Sequence, residues 1–151
     1  MSELNEARRS LRLASTMDSV AEVEAIAEKA AIQAGLDEDT SFHVTMAVRE
    51  AAVNAVLHGN EYAADKKVTL AFERTGEELV ITIRDQGKGM DLSKIPNPLA
   101  PENLLKTSGR GIFLMRSFMD VVEIRPSSTG TELKLIKRVH GSTEGGKEAS
   151  Q

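Results

Sequence analysis

"VREAAVNAVLHGN" occupies Val48 to Asn60, and its reading decides the fold. From Met46 to Leu57, nine of the twelve side chains are apolar; the exceptions are Arg49, Glu50 and Asn54. Arg49 can reach water along its own stem. Glu50 and Asn54 are shorter, and on a helix they lie one turn apart, roughly 40° around the axis. His43, Ala47 and His58 fall near the same line. The spacing therefore predicts a buried helix carrying a narrow polar strip. A carboxylate removed from water is costly without a partner. A partly exposed helix face, with His58 and Gly59 as C-terminal capping residues, explains the ends of this stretch. For Glu50 and Asn54 a second reading stands beside it: an acidic and an amide oxygen on adjacent turns suit Mg²⁺ or an incoming nucleophile, since hard cations prefer oxygen ligands.

Outward from this helix, the pattern alternates between two periods. "RRSLRLAST" alternates around Leu11 and Leu13 as a half-exposed strand. Met17 to Gly35 has helical spacing, with Asp18 or Ser19 as candidate cap and Gly35 as its stop. After "LDEDTS" the central helix runs to about His58, where Gly59 is placed to end it. "KKVTLAFER" and "EELVITIRD" read as a hairpin turning at "TGE", and "DVVEIRP" and "GTELKLIKR" as a second pair of strands. Between the pairs, Gln86 to Gly109 gathers Gly87, Gly89, Pro96, Pro98, Pro101 and Gly109, then "GIFLMRSFM" shows a helical stripe. A connection this long without periodicity is usually functional or disordered.

The order β–α–α–β–β–loop–α–β–β implies an α+β two-layer sandwich, a mostly antiparallel sheet covered on one face by helices. The chain's 151 residues fit one domain over residues 1–139, followed by a polar tail over 140–151. Charged residues make up 28% and the net charge is −4, so no footprint for direct nucleic-acid binding appears. No apolar stretch is long enough to span a membrane, and the N-terminus lacks the apolar run of a secretory signal, so a cytoplasmic location is expected. Absence of cysteine removes disulfides and thiolate metal sites.

Two further stretches carry chemistry. "DQGKG" puts Asp85 at a strand end before Gly87 and Gly89, either a plain turn or a place where a ligand meets bare backbone and a carboxylate takes a hydrogen bond. "SGRGIFLM" opens a helix with two glycines, whose N–H groups suit phosphate oxygens. "GSTEGGK" in the tail imitates the spacing of a phosphate loop, but Glu148 stands where a Mg²⁺-binding hydroxyl is needed and no strand–loop–helix context surrounds it. His43 lacks the helical hairpin of a histidine phosphoacceptor, which leaves it a structural or lining role.

Taken together and in order, "EAAVNAVLHGN", "DQGKG", "SGRGIFLM" and "GTELKL" resemble the four boxes of the Bergerat-fold (GHKL) ATPases, over roughly residues 9 to 138. The short chain and "GRGIFLMRSFMD" are similar to the anti-sigma-factor serine-protein kinases of the RsbW and SpoIIAB type. The resemblance implies Glu50 as general base and Asn54 as Mg²⁺ ligand. It implies Asp85 on the adenine amine, with Gly87 and Gly89 beside the purine and Thr131 supporting Asp85 or its bound water. Met90 to Ser108 would form an ATP lid, Gly109 and Gly111 would offer N–H groups to phosphate, and Lys106 and Arg110 would add charge. His58, Ser108 and Ile112 complete the implied ATP-binding set.

The activity implied is Mg²⁺-dependent transfer of the ATP γ-phosphoryl group to a protein serine or threonine. The implied substrate is a STAS-domain anti-anti-sigma protein, the second partner a sigma factor held inactive, and the assembly a homodimer. Two alternatives remain open: the same kinase with a non-sigma client, and an ATP-gated binding module without transferase activity. Glu22, Glu24 and Glu28 on the first helix fit a docking face and a solvated acidic face equally well.

Overall fold

A computed structural model describes residues 8–87 and 107–139, and of residues 107–110 the backbone alone. Strand β1 is Arg8–Ala14, followed by helices α1 (Met17–Gln33) and α2 (Glu38–Val53). A π-helical turn, Asn54–Gly59, continues α2 directly. Strands β2 (Lys67–Arg74) and β3 (Glu78–Arg84), helix α3 (Thr107–Phe118), and strands β4 (Val121–Ser127) and β5 (Gly130–Arg138) complete the chain. The five strands form one sheet in the order β1-β2-β3-β5-β4, every neighbouring pair antiparallel. This is the α+β two-layer sandwich that the sequence order implies.

Period-two patterning decides which sheet face is dry. Val68, Leu70 and Phe72 of β2, Leu79, Ile81 and Ile83 of β3, and Leu133 and Leu135 of β5 all point to the buried face. Against them lie Val20, Val23, Ala27 and Ala31 of α1 and Val44, Ala47, Val48 and Ala51 of α2. Each fully buried Leu, Ile or Val contributes about 1.5–3 kcal/mol, and this face carries most of the fold's stabilisation. The alanines bring α2 close to its neighbours without large side chains between them. The opposite sheet face carries ion pairs linking Arg84, Glu132, Arg125 and Glu123 across three strands.

Helix ends differ from the sequence expectation in instructive ways. Thr16, rather than Asp18 or Ser19, caps α1: its extended backbone sets its hydroxyl 3.1 Å from the Ser19 N–H. Gly35 ends α1 as expected, at φ 91°, with Gly35 N–H donating to Ile32 and Leu36 N–H to Ala31. Helix α2 begins inside the expected loop, because Asp37 accepts the Thr40 N–H at 2.7 Å and so starts the helix at Glu38. Those bonds to Thr40 hold the Asp37 carboxyl below its ordinary value. Helix α3 starts at Thr107; the expected lid, Met90 to Ser108, otherwise lies outside the described residues.

The largest difference is at the end of α2. The expected α-helix to His58 widens at Asn54 into the π-turn, with the Asn60 N–H donating to Ala55, five residues back, at 2.8 Å. Single π-turns inside helices are rare and concentrate at functional sites.

Candidate functional site

The polar strip lies in the seam between α2 and α3. At its far end the exposed His43 stacks on Phe118 with ring centroids 4.5 Å apart and planes 6° from parallel, which pins the last turn of α3. The stack fits the structural role, one of the two expected for His43. Between the ends, Ala47 and Met115 are fully buried. At the other end Gly111 faces Glu50 and Asn54 together: a Cβ built on Gly111 would stand 3.1 Å from Glu50 Oε1 and 3.7 Å from Asn54 Nδ2. The missing side chain leaves the space those two groups occupy.

Glu50 is partly open, its side chain 26% exposed, with Arg49 Nη1 3.9 Å from Oε2. Arg49 also reaches Glu24 of α1 at 3.5 Å. Asn54 is buried, and its Nδ2 has no hydrogen-bond partner among the described residues. A buried amide donor left unspent loses its hydration without compensation. It suits a group that the described residues do not supply: a phosphate oxygen for the N–H, or, with the amide turned over, a cation for the oxygen. No group of three or more His, Asp or Glu able to hold a metal occurs among the described residues. The donor set thus fits only a cation that keeps water and phosphate oxygens as its other ligands, which is the habit of Mg²⁺. Asn54, with Glu50 one turn away, would hold it.

The second half of the site is built around Asp85, at the end of β3 and almost fully buried. Its Oδ1 accepts the Gly87 N–H at 2.9 Å and the Thr131 N–H at 3.1 Å, while its own N–H donates to the Thr131 carbonyl at 3.0 Å. Burial pushes the carboxyl above its ordinary value; the two N–H bonds and nearby Lys66 oppose that shift. Three glycines allow this arrangement. A Cβ on Gly59 would overlap the Asp85 carboxylate, one on Gly87 the Gly59 carbonyl, and one on Gly130 (φ 148°) the Asp85 carbonyl. Gly59 is thus a packing requirement rather than the capping residue the sequence suggested. The adjacent Asn60 is also buried, and its side chain links Ser15, Lys67 and Gln86.

The structure brings Glu50, Asn54 and Gly111 together at one end of the seam, and Gly59, Asp85, Gly87, Gly130 and Thr131 in one cradle. The π-turn, which starts at Asn54 and ends at Gly59, joins the two halves. Thr131 supports Asp85 through its backbone N–H. Ile112 places its side chain in the core, so only its backbone can face a ligand. His58 is exposed on the π-turn and makes no hydrogen bond among the described contacts. Gly109 opens α3; Gly89, Lys106 and the side chains of Ser108 and Arg110 lie outside the described residues. The sequence reading missed Asn60 and Gly130. Both were visible only as "HGN" and "STGT", two short polar stretches that look like ordinary turns.

A helix-borne acid–amide pair beside a glycine-lined buried aspartate suits a nucleotide-binding protein. Residues 13–137 match the model of the histidine kinase-like ATPase domain, and the chain belongs to that family. Among curated proteins it is 34% identical over 143 residues to the anti-sigma F factor of Bacillus velezensis, spanning 91% of this chain and 95% of that one. The anti-sigma F factor of Bacillus subtilis gives the same figures. Solved structures share the fold at lower identity. The chain superposes with TM-score 0.62 on the SiaB–SiaC complex structure from Pseudomonas aeruginosa, at 12% identity, covering 89% of this chain and 93% of that one. The RsbU and RsbW domain structure from Mycobacterium tuberculosis gives 0.60 at 19% identity, covering 87% and 32%. ATP binding follows from the family, and kinship with anti-sigma F factors from these relatives. No helix among the described residues is long and apolar enough to cross a membrane.

Proposed function

We propose that this chain is an ATP-dependent protein serine/threonine kinase and anti-sigma factor. It phosphorylates a STAS-domain anti-anti-sigma protein and sequesters a sigma factor until the unphosphorylated antagonist displaces it. The observation that carries the transferase part is the position of Glu50, whose carboxylate faces the cleared space at Gly111 beside the unspent amide of Asn54. A module that only bound nucleotide would have no use for a partly open carboxylate there.

In this reading the adenine amine donates to the carboxylate of Asp85, and the purine lies against Gly87 and the chain at Gly59. Backbone N–H groups at the start of α3, around Gly109 and Gly111, receive the phosphates, where a helix N-terminus favours negative charge. Mg²⁺ held at Asn54 would neutralise charge on the transferring group. Glu50 accepts the proton of the substrate hydroxyl as its oxygen forms a bond to the γ-phosphorus, and the bond from that phosphorus to the ADP oxygen breaks. Positioning and electrostatics supply most of the catalysis in such a transfer. The homodimer and the cytoplasmic location belong to the same proposal.

Isothermal titration with ATP and ADP, with and without Mg²⁺, is the first test. Asn54→Ala should abolish Mg²⁺-assisted binding, and unchanged binding would remove the metal assignment. Glu50→Ala should still bind ATP while phosphoryl transfer to a STAS-domain protein falls by about a hundredfold or more, the scale of a lost general base. A fully active Glu50→Ala protein would leave the binding-module reading in possession. Capture of a sigma factor with and without ATP separates the anti-sigma role from regulation of another client.

A further inference from the structure

Asn60 is a buried amide, 1% exposed, that the transfer chemistry does not use. Its Nδ2 donates to Ser15 Oγ at 2.8 Å and to the Lys67 carbonyl at 3.0 Å, and its Oδ1 accepts the Gln86 N–H at 2.7 Å. Ser15 Oγ donates onward to the Lys66 carbonyl at 2.6 Å, and Gln86 Oε1 accepts the Lys67 N–H at 2.6 Å. Both hydrogens and the oxygen of the Asn60 amide are engaged, so the amide has one orientation only. The network ties the end of β1 and the start of β2 to Gln86, which follows Asp85 beyond the end of β3. The π-turn bond from Asn60 N–H to Ala55 is what brings Gly59 and Asn60 together against the Asp85–Gly87 turn. Directly after Asn60, Glu61 and Tyr62 adopt left-handed φ angles of 52° and 61°. Two consecutive non-glycine residues there are strained, and such strain persists only where the surroundings enforce it.

We propose that Asn60 is a positioning residue for purine selectivity: it locks the Asp85–Gln86–Gly87 turn so that the Asp85 carboxylate meets the exocyclic amine of adenine. The inference rests on the nucleotide reading given above. Asp85 Oδ1 is held from one side by Thr131 and Gly87, and Asn60 fixes the backbone of that same turn from the other side through Gln86. Without that bond the turn can shift by a fraction of an ångström, which misaligns the amine contact and leaves the phosphate end of the site, at Asn54 and Gly111, untouched. Asn60 would therefore act on the base of the nucleotide and not on its phosphates.

The test compares Kd for ATP with Kd for purine riboside triphosphate, which lacks the 6-amine, by isothermal titration. Wild type should prefer ATP by about tenfold or more, the value of one hydrogen bond to a charged group. Asn60→Ala should lose most of that preference by weakening ATP alone, with the transfer rate at saturating ATP preserved. Ser15→Ala, which disturbs the same network away from Gln86, should keep the preference. If the alanine variant does not fold, Asn60→Ser replaces it, since its short hydroxyl cannot span all three partners. Wild-type indifference between the two nucleotides would overturn the adenine assignment of Asp85 itself. A normal wild-type preference that survives in the Asn60 variant, or equal weakening of both ligands, would overturn the positioning role alone.

Discussion

Gly59→Ala isolates the steric basis of the nucleotide cradle. Gly59 does not have a positive φ, so alanine is conformationally allowed, and in a helical turn it gains about 1 kcal/mol over glycine. The whole effect then comes from its methyl group, which would overlap the Asp85 carboxylate. The main chain cannot easily retreat, because Gly87 already rests on the Gly59 carbonyl and Asn60 is bonded to Gln86. The carboxylate must therefore swing away from the N–H groups of Gly87 and Thr131. Hydrogen bonds to a charged group are worth about 1.5–3 kcal/mol each, so losing two, less the helical gain, destabilises the fold by about 2–5 kcal/mol. Loss of the same carboxylate contact to an adenine amine should weaken ATP binding by about 10- to 150-fold. Urea denaturation and isothermal titration read the two effects separately. A variant with the wild-type denaturation midpoint and wild-type ATP affinity would refute the idea that Gly59 exists to admit Asp85.

Gly111→Ala should behave in the opposite way on stability. The one tight contact of its Cβ is the far end of Glu50, at 3.1 Å, and a side chain that is partly open can yield. Thermal denaturation should show a gain approaching about 1 kcal/mol from helix propensity, while phosphoryl transfer drops because the base is displaced; loss of stability with full activity would contradict this. Asp85→Asn tests the buried carboxyl. Because burial raises the folded-state value above the ordinary 3.8, Asp85's contribution to stability is present below that pH and is lost as pH rises through the raised value. Near neutral pH the asparagine variant should therefore be at least as stable as wild type, an advantage that shrinks on acidification, and it should not bind ATP. Asp37, held below its ordinary value by its cap bonds, has the reverse sign: its contribution is present above pH 3.8 and disappears as pH falls through the depressed value. Asp37→Ala should lower the denaturation midpoint at neutral pH and converge on wild type in acid.

Strand and helix placement was legible because both are local properties of the chain. Alternation around Leu70, Ile81 and Leu133, and helical spacing through Val44, Ala47, Val48 and Ala51, each state which face will be dry. The Glu50–Asn54 pair and the Asp85–Gly87 turn stood out against their own neighbours, as polar residues in an apolar helix and glycines after a strand. Each by itself also fitted a plain helix face or turn, and only the order of the four stretches pointed to a nucleotide site. The caps were less legible, since Thr16 and Asp18 are both good cap residues and only the extended backbone at Thr16 selects it.

What the chain's order alone determined, then, is the element sequence, the antiparallel sandwich and the ordered boxes that mark a nucleotide site. What only the tertiary structure decided is the close approach between segments distant in sequence. Gly59 meets Asp85 and Gly130 meets the same residue from β5, while Asn60 reaches back to Ser15 and forward to Gln86. The helix opens into a π-turn to make the first of these contacts. Periodicity reports how a segment faces its surroundings, but it carries no information about which distant backbone will lie within van der Waals reach. A glycine needed for such a contact looks, in sequence, like any other turn.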